Sequence, residues 1–153
     1  MAKGENGEGG ATGVHPENGM SALLCIASGK AIAVAAGLFT LGWTHSVEKI
    51  EWRERWAVTE AGLVLEEARV KGSGAGMEPG EGARREGGWW IWRPQTGPLP
   101  RLVLAASGAT VSGWTLCDTG GCRELGRRSG EPIVLRPCTD GEADAGRQRT
   151  AGQ

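Results

Sequence analysis

The chain has 153 residues, 39% of them hydrophobic, with 27 glycines and 7 prolines; that size suits one domain, and that composition suits a compact centre diluted by polar ends. Seventeen basic against eighteen acidic residues leave a formal net charge of −1, without the concentrated positive charge that nucleic-acid binding needs. The aromatic set of seven Trp, one Phe and no Tyr makes indoles a large share of any core, each needing an acceptor for its N–H.

Residues 1–19 are nearly devoid of apolar side chains and rich in Gly, Glu and Asn. Such a stretch cannot offset its ordering entropy by burial, so a disordered tail is expected there, with His15 as a solvated residue of it. Between Met20 and Trp43 the only charge is Lys30, a span long enough for a membrane helix. Lys30 near its middle, the turn-like Ser28-Gly29-Lys30, and the acidic rather than basic flank argue against a membrane helix or a signal peptide. No stable membrane insertion is therefore expected. The expected location is cytoplasmic by default, with a periplasmic or membrane-associated one as the alternative.

Leu23–Ala27 and Ala31–Ala35 read as a hairpin across Ser-Gly-Lys. From Phe39 to Ser46 the chain alternates, with Phe39, Leu41, Trp43 and His45 on one face and Thr40, Gly42, Thr44 and Ser46 on the other. That rhythm predicts a half-buried strand. Ile50, Trp52, Trp56 and Val58 repeat it with Glu51, Arg53 and Arg55 opposite; Glu54 interrupts the apolar face, as a bulge or an arginine partner would. After a turn at Thr59–Gly62, Leu63–Lys71 returns as the partner strand. A helix over 47–70 is the competing reading, and Gly62 interrupts it.

Gly72–Glu86 reads as a Gly/Glu/Pro loop, Trp89–Arg93 as an aromatic strand stopped by Pro94, and 95–100 as a second loop. Leu102–Ala106, Gly113–Cys117, Cys122–Leu125 and Ile133–Cys138 complete the set. The fold class expected is all-β: a small antiparallel sandwich or barrel of about eight to ten short strands over residues 20–138, followed by a second disordered tail over 139–153.

Cys117-Asp-Thr-Gly-Gly-Cys122 sets two cysteines on either side of a four-residue turn. Opposed across a hairpin they can form a disulfide, and two reduced thiols are the alternative. Zinc would need Cys25 and Cys138 to be gathered in, and no C-x-x-C pair favours that, so no metal is assigned. Cys25, inside an apolar run, reads as a buried hydrophobe.

Two polar segments are candidate binding features. Thr44, His45, Ser46, Glu48 and Lys49 cluster at a strand end. His45 and Ser46 point to opposite faces of a strand, so His45 is badly placed to activate Ser46, and no catalytic residue or cofactor is assigned. The glycines of Lys71-Gly-Ser-Gly-Ala-Gly-Met77, namely Gly72, Gly74 and Gly76, could present N–H groups to an anion, but no Gly-Lys-Ser/Thr ending or helix follows them.

The segments FTLGWTHSVEKIEWRERW, LVLEEARVKGSGAGM, GWWIW and GWTLC together resemble the DUF (domain of unknown function) 1850 family of small bacterial proteins, over roughly residues 21–125. The resemblance implies an accessory protein encoded beside membrane subunits of TAXI-type TRAP transporters, with no established activity. It carries over Thr44, His45, Ser46, Glu48 and Lys49 with Gly72, Gly74 and Gly76, to which the family assigns no role. The expected function is thus a non-catalytic accessory or binding module, partnered by a transporter membrane subunit or solute-binding protein. One alternative is a small hydrolase-like enzyme using His45 as base with Glu48 or Glu51. Another is a Trp-rich interaction domain docking through Trp89–Trp92, whose alternation cannot place all three indoles on one face.

Overall fold

A computed structural model describes residues 22–44, 49–72, 80–106 and 113–151. Every strand pair in it is antiparallel. A four-stranded sheet has the order β2-β1-β11-β8, built from Ala31–Ala35, Leu24–Ser28, Ile133–Pro137 and Leu102–Leu104. A seven-stranded sheet has the order β10-β9-β3-β4-β5-β7-β6. Its strands are Gly121–Leu125, Trp114–Asp118, Leu38–Thr44, Glu51–Thr59, Gly62–Lys71, Trp89–Trp92 and Arg84–Glu86, in that spatial order. The two sheets form a sandwich, as an all-β chain must bury one face of each sheet against another.

The two-residue rhythm decides which side chains meet between the sheets. Phe39 and Leu41 of β3, Trp56 and Val58 of β4, Leu63 of β5 and Leu116 of β9 pack against Leu24, Ile26, Ala35, Leu104, Ile133 and Leu135 of the smaller sheet. Beyond them the same face carries a transverse aromatic row. Trp43 pairs with Trp52 across β3 and β4, their rings stacked at 6.0 Å, and Trp114 of β9 tilts against Trp43 at 5.1 Å. Trp92 meets Trp52 edge-on at 6.4 Å. Each such pair contributes about 0.5–1.5 kcal/mol beyond its buried area.

Glu51–Thr59 and Gly62–Lys71 are strands rather than a helix, and the bulge that interrupts their pairing lies not at Glu54, which stays in register with Ala68, but on the neighbouring strand. Arg55 pairs with Glu67 but Trp56 pairs with Leu65, so Glu66 of β5 is the extra residue of a bulge. The bulge resets parity. Leu63 and Leu65 lie on the inner side before it, Ala68 and Val70 after it, and Glu67 and Arg69 are turned outward. Among the described residues Glu54 pairs with no arginine; its carboxylate accepts the Trp56 indole N–H at 2.9 Å. Burial pushes the Glu54 carboxyl above its ordinary range, and the indole bond offsets part of that rise.

Gly62 shows why the β4–β5 turn needs glycine. Its φ is +128°, and a Cβ there would collide with the Leu99 carbonyl oxygen. That closeness lets Leu63 and Leu99 exchange backbone hydrogen bonds of 2.7 and 2.9 Å, tying the 93–101 loop to β5.

Three expectations are corrected. The segment from Thr139, read as a disordered tail, forms helix α1 over Asp140–Ala151. Thr139 and Glu142 make a reciprocal capping box: Thr139 Oγ1 accepts the Glu142 N–H, and Glu142 Oε1 accepts the Thr139 N–H. Arg136 then clamps Glu142 through two 2.8 Å bonds, Ala143 is buried, and Gly146 packs on Val34. Cys25 is buried, but as half of a disulfide to Cys138, 113 residues away, rather than as an isolated hydrophobe. The 72–86 stretch, read as loop throughout, contains strand β6, whose three residues are all exposed and, among the described residues, pair with β7 alone. The tail expected over 1–19 lies outside the described residues.

Candidate functional site

The outward face of the seven-stranded sheet gathers the polar chemistry. On β3 the residues alternating with Phe39, Leu41 and Trp43 are Thr40, Gly42 and Thr44; on β4 they are Glu51, Arg53 and Arg55. Register places Arg53 between Gly42 and Arg69, and Arg55 between Thr40 and Glu67. Thr115 and Cys117 of β9 stand beyond Gly42 and Thr40. Gly42 has no side chain to fill the centre, and the result is a groove of about 650 Å³ lined by these groups. That volume is within the range of small-ligand sites.

The charges in the groove are held in place. Glu51 Oε2 accepts Arg53 Nε and Nη2 at 3.0 and 2.8 Å. On the adjacent strand Glu67 Oε2 does the same for Arg69, at 3.2 and 2.6 Å. Arg55 bonds Glu66 at 3.3 Å, with Glu67 at 4.0 Å. Trp89 of β7, on the same outward face, lies beneath three cations: Arg53 at 4.9 Å, Lys71 at 5.6 Å and Arg69 at 5.8 Å from its ring centre. Cation–π attraction of this kind orients guanidinium groups as well as holding them. Partial burial acts to raise the Glu67 carboxyl, but the Arg69 hydrogen bond and the charges of Arg69, Arg55 and Arg84 outweigh it. Glu67 is held below the usual carboxylate range, ionised at neutral pH and unsuited to exchange a proton there.

One edge of the groove is the β9–β10 hairpin. Cys117 and Cys122 face each other in register and are joined by a disulfide. With Cys25–Cys138, all four cysteines are bonded. A second depression of about 740 Å³ lies among β2, the β9–β10 turn and α1. It is lined largely by small residues; its Asp118 accepts the backbone N–H groups of Ala36 and Gly120, and its Arg147 pairs with Asp144. The groove therefore carries the denser polar chemistry.

Of the residues singled out from sequence, Thr44 lines the groove at the end of β3. Lys49 is exposed and adopts a left-handed φ of +60°, unusual for a residue with a Cβ. Gly72 has φ +132° and donates its N–H to the Gly88 carbonyl at 3.0 Å; no other atom crowds it, so conformation rather than close approach calls for glycine. His45, Ser46, Glu48, Gly74 and Gly76 lie outside the described residues. Thr44 and Lys49 flank the β3–β4 connection and Gly72 follows β5, so topology brings these flanks to one end of the sheet. Glu51, a candidate orienting carboxylate, is engaged by Arg53. Trp90 and Trp92 share the inner face with Val70 and Ala68, while Trp89 faces outward. Trp89 and Trp90 are half-buried, and Arg85 covers Trp90.

Arg53, Arg55, Arg69 and Glu67 were not among the singled-out residues. The β4 alternation already put Arg53 and Arg55 on one face with Glu51; no local signal joined them to Glu67 and Arg69, because the Glu66 bulge governs which way those two point.

The family model for the domain of unknown function DUF1850 matches residues 39–125, from the first core residue of β3 through β10. No curated protein and no solved structure matches the chain. The matched span is more than half of the sequence, and the chain belongs to the DUF1850 family.

Proposed function

We propose that this DUF1850 chain is a non-catalytic accessory or binding module, working in an oxidising compartment and engaging its ligand or partner through the groove on the outward face of the large sheet. The observation that carries the reading is the state of the charges there. Arg53, Arg55 and Arg69 are each oriented by a glutamate, and Glu67 is pinned in its ionised form. Fixed, pre-oriented donors favour recognition, whereas acid–base catalysis calls for a group poised to gain and lose a proton near the working pH. The bonding of all four cysteines supports a location outside the reducing cytoplasm. The resemblance to transporter-associated proteins suggests the partner: a membrane subunit or solute-binding protein of a TRAP-type system.

Two measurements test this reading. Co-purification with the cognate transporter membrane subunit should be retained by the wild-type chain and lost in the double variant Arg53→Ala/Arg69→Ala; equal recovery of both would refute the groove as the engaging surface. Intact mass after alkylation without reductant, on protein taken from its native compartment, should show no modified cysteine. Four alkylated thiols would overturn the proposed location.

A further inference from the structure

Resting on the reading of the groove as a binding surface, we propose that it is a carboxylate site, in which Arg53 and Arg69 together seat one carboxylate group of the ligand. Arg53 and Arg69 are directly opposed partners on β4 and β5. Like charges facing each other across two strands repel, and such a pairing costs stability unless something offsets it. Here each guanidinium is fixed by the glutamate two residues before it, through Nε and Nη2 on one carboxylate oxygen. Both also lie over the Trp89 ring. Each Nη1 is without a partner among the described residues, so two orientated donors remain for an incoming anion. An anion between them turns the repulsion into two charge-assisted hydrogen bonds.

The lining indicates which anion. Glu51, Glu66 and Glu67 balance the three arginines of the groove, Lys71 over Trp89 at its margin leaves a net positive charge, and Thr40, Thr44 and Thr115 add hydroxyls. Planar guanidinium forks match a planar carboxylate. A groove of about 650 Å³ exceeds a lone ion, leaving room for the body of an organic acid or the end of an acidic peptide beside the Cys117–Cys122 edge.

Isothermal titration at low ionic strength in a chloride buffer tests this with succinate, glutamate, and a tripeptide with a free C-terminal carboxylate. Succinamide and the amidated tripeptide are the neutral controls. Saturable binding of a carboxylate probe is expected, with no binding of its amide. Affinity should fall about tenfold or more in Arg53→Gln and in Arg69→Gln and stay unchanged in Arg101→Gln. Arg53→Lys keeps the charge but loses the fork, and it should bind less tightly than wild type; thermal melts of all variants keep misfolding apart from lost contact. Stronger binding of the small acids identifies a free organic acid as the source, and stronger binding of the peptide identifies a protein terminus. No binding of any carboxylate probe up to about 10 mM would overturn the proposal, as would equal binding of the amides. If an amide binds and Thr115→Val removes it, the groove reading survives and the carboxylate does not; if a carboxylate binds equally to every arginine variant, both fail.

Discussion

The two disulfides close loops of very different length, and that difference gives a sharp prediction. Cys25 and Cys138 are 113 residues apart, whereas Cys117 and Cys122 are 5 apart. A cross-link stabilises chiefly by narrowing the unfolded ensemble, and in the chain-entropy model the effect grows with the logarithm of the loop. The long loop then contributes roughly 5 kcal/mol and the short one roughly 2 kcal/mol. The long bridge also joins β1 to Cys138, two residues before α1 and next to the Thr139 of the capping box, so its loss should loosen the helix as well. The perturbation is Cys25→Ala/Cys138→Ala beside Cys117→Ala/Cys122→Ala, read by urea unfolding followed through tryptophan fluorescence. The first pair should lower the midpoint more and raise the slope, because its unfolded chain expands further. Equal losses, or a larger loss from the short-loop pair, would show that the stabilisation does not come from restricting the unfolded chain.

Gly62→Ala should destabilise the domain by roughly 3 kcal/mol, since φ +128° and the Leu99 carbonyl both reject a Cβ; a midpoint within error of wild type would refute that account. Glu54→Gln should hold or raise stability at pH 7, by up to about 1 kcal/mol, because glutamine accepts the Trp56 indole N–H without a half-buried charge. Its advantage should shrink on acidification, as the wild-type carboxyl becomes protonated in the fold; a clear loss at pH 7 counts against the reasoning. The Glu142 carboxyl is lowered to about 2, first by its Arg136 hydrogen bonds and then by the Thr139 N–H. A depressed carboxyl stabilises the fold above its unfolded value of 4.5 and loses that contribution as pH falls towards 2. Helix content at the C-terminus should therefore decline more steeply between pH 4.5 and 2 in wild type than in Glu142→Gln, which keeps the helix carboxylates Asp140 and Asp144 but loses the clamp; identical acid profiles would refute the clamp.

Much of the fold was legible because strand alternation is a local property. Phe39, Leu41 and Trp43 faced the core as their spacing required, and Gly-bearing turns marked the hairpins at Gly29, Gly62 and Gly121. Strand β6 is not legible in the sequence because Arg84, Arg85 and Glu86 are all exposed and offer no apolar period to read. Helix α1 was legible in principle from Thr139 and Glu142 at capping-box spacing, but the polar composition around them hid it: the helix is held by Arg136, Val34 and Cys138, none of which its own sequence announces.

The candidate site divides the same way. Alternation along β4 was enough to place Glu51, Arg53 and Arg55 on one face, opposite Trp52 and Trp56, because adjacent side chains of a strand must point apart. Tertiary structure alone decided that Arg69 stands opposite Arg53, that Glu67 restrains it, and that Trp89 lies beneath both. Those contacts depend on register between strands and on the single extra residue at Glu66, and register is set by which faces can be buried together. A partnership such as Cys25 with Cys138 likewise exists only once β1 and β11 are paired, since nothing short-range relates two residues at opposite ends of the domain.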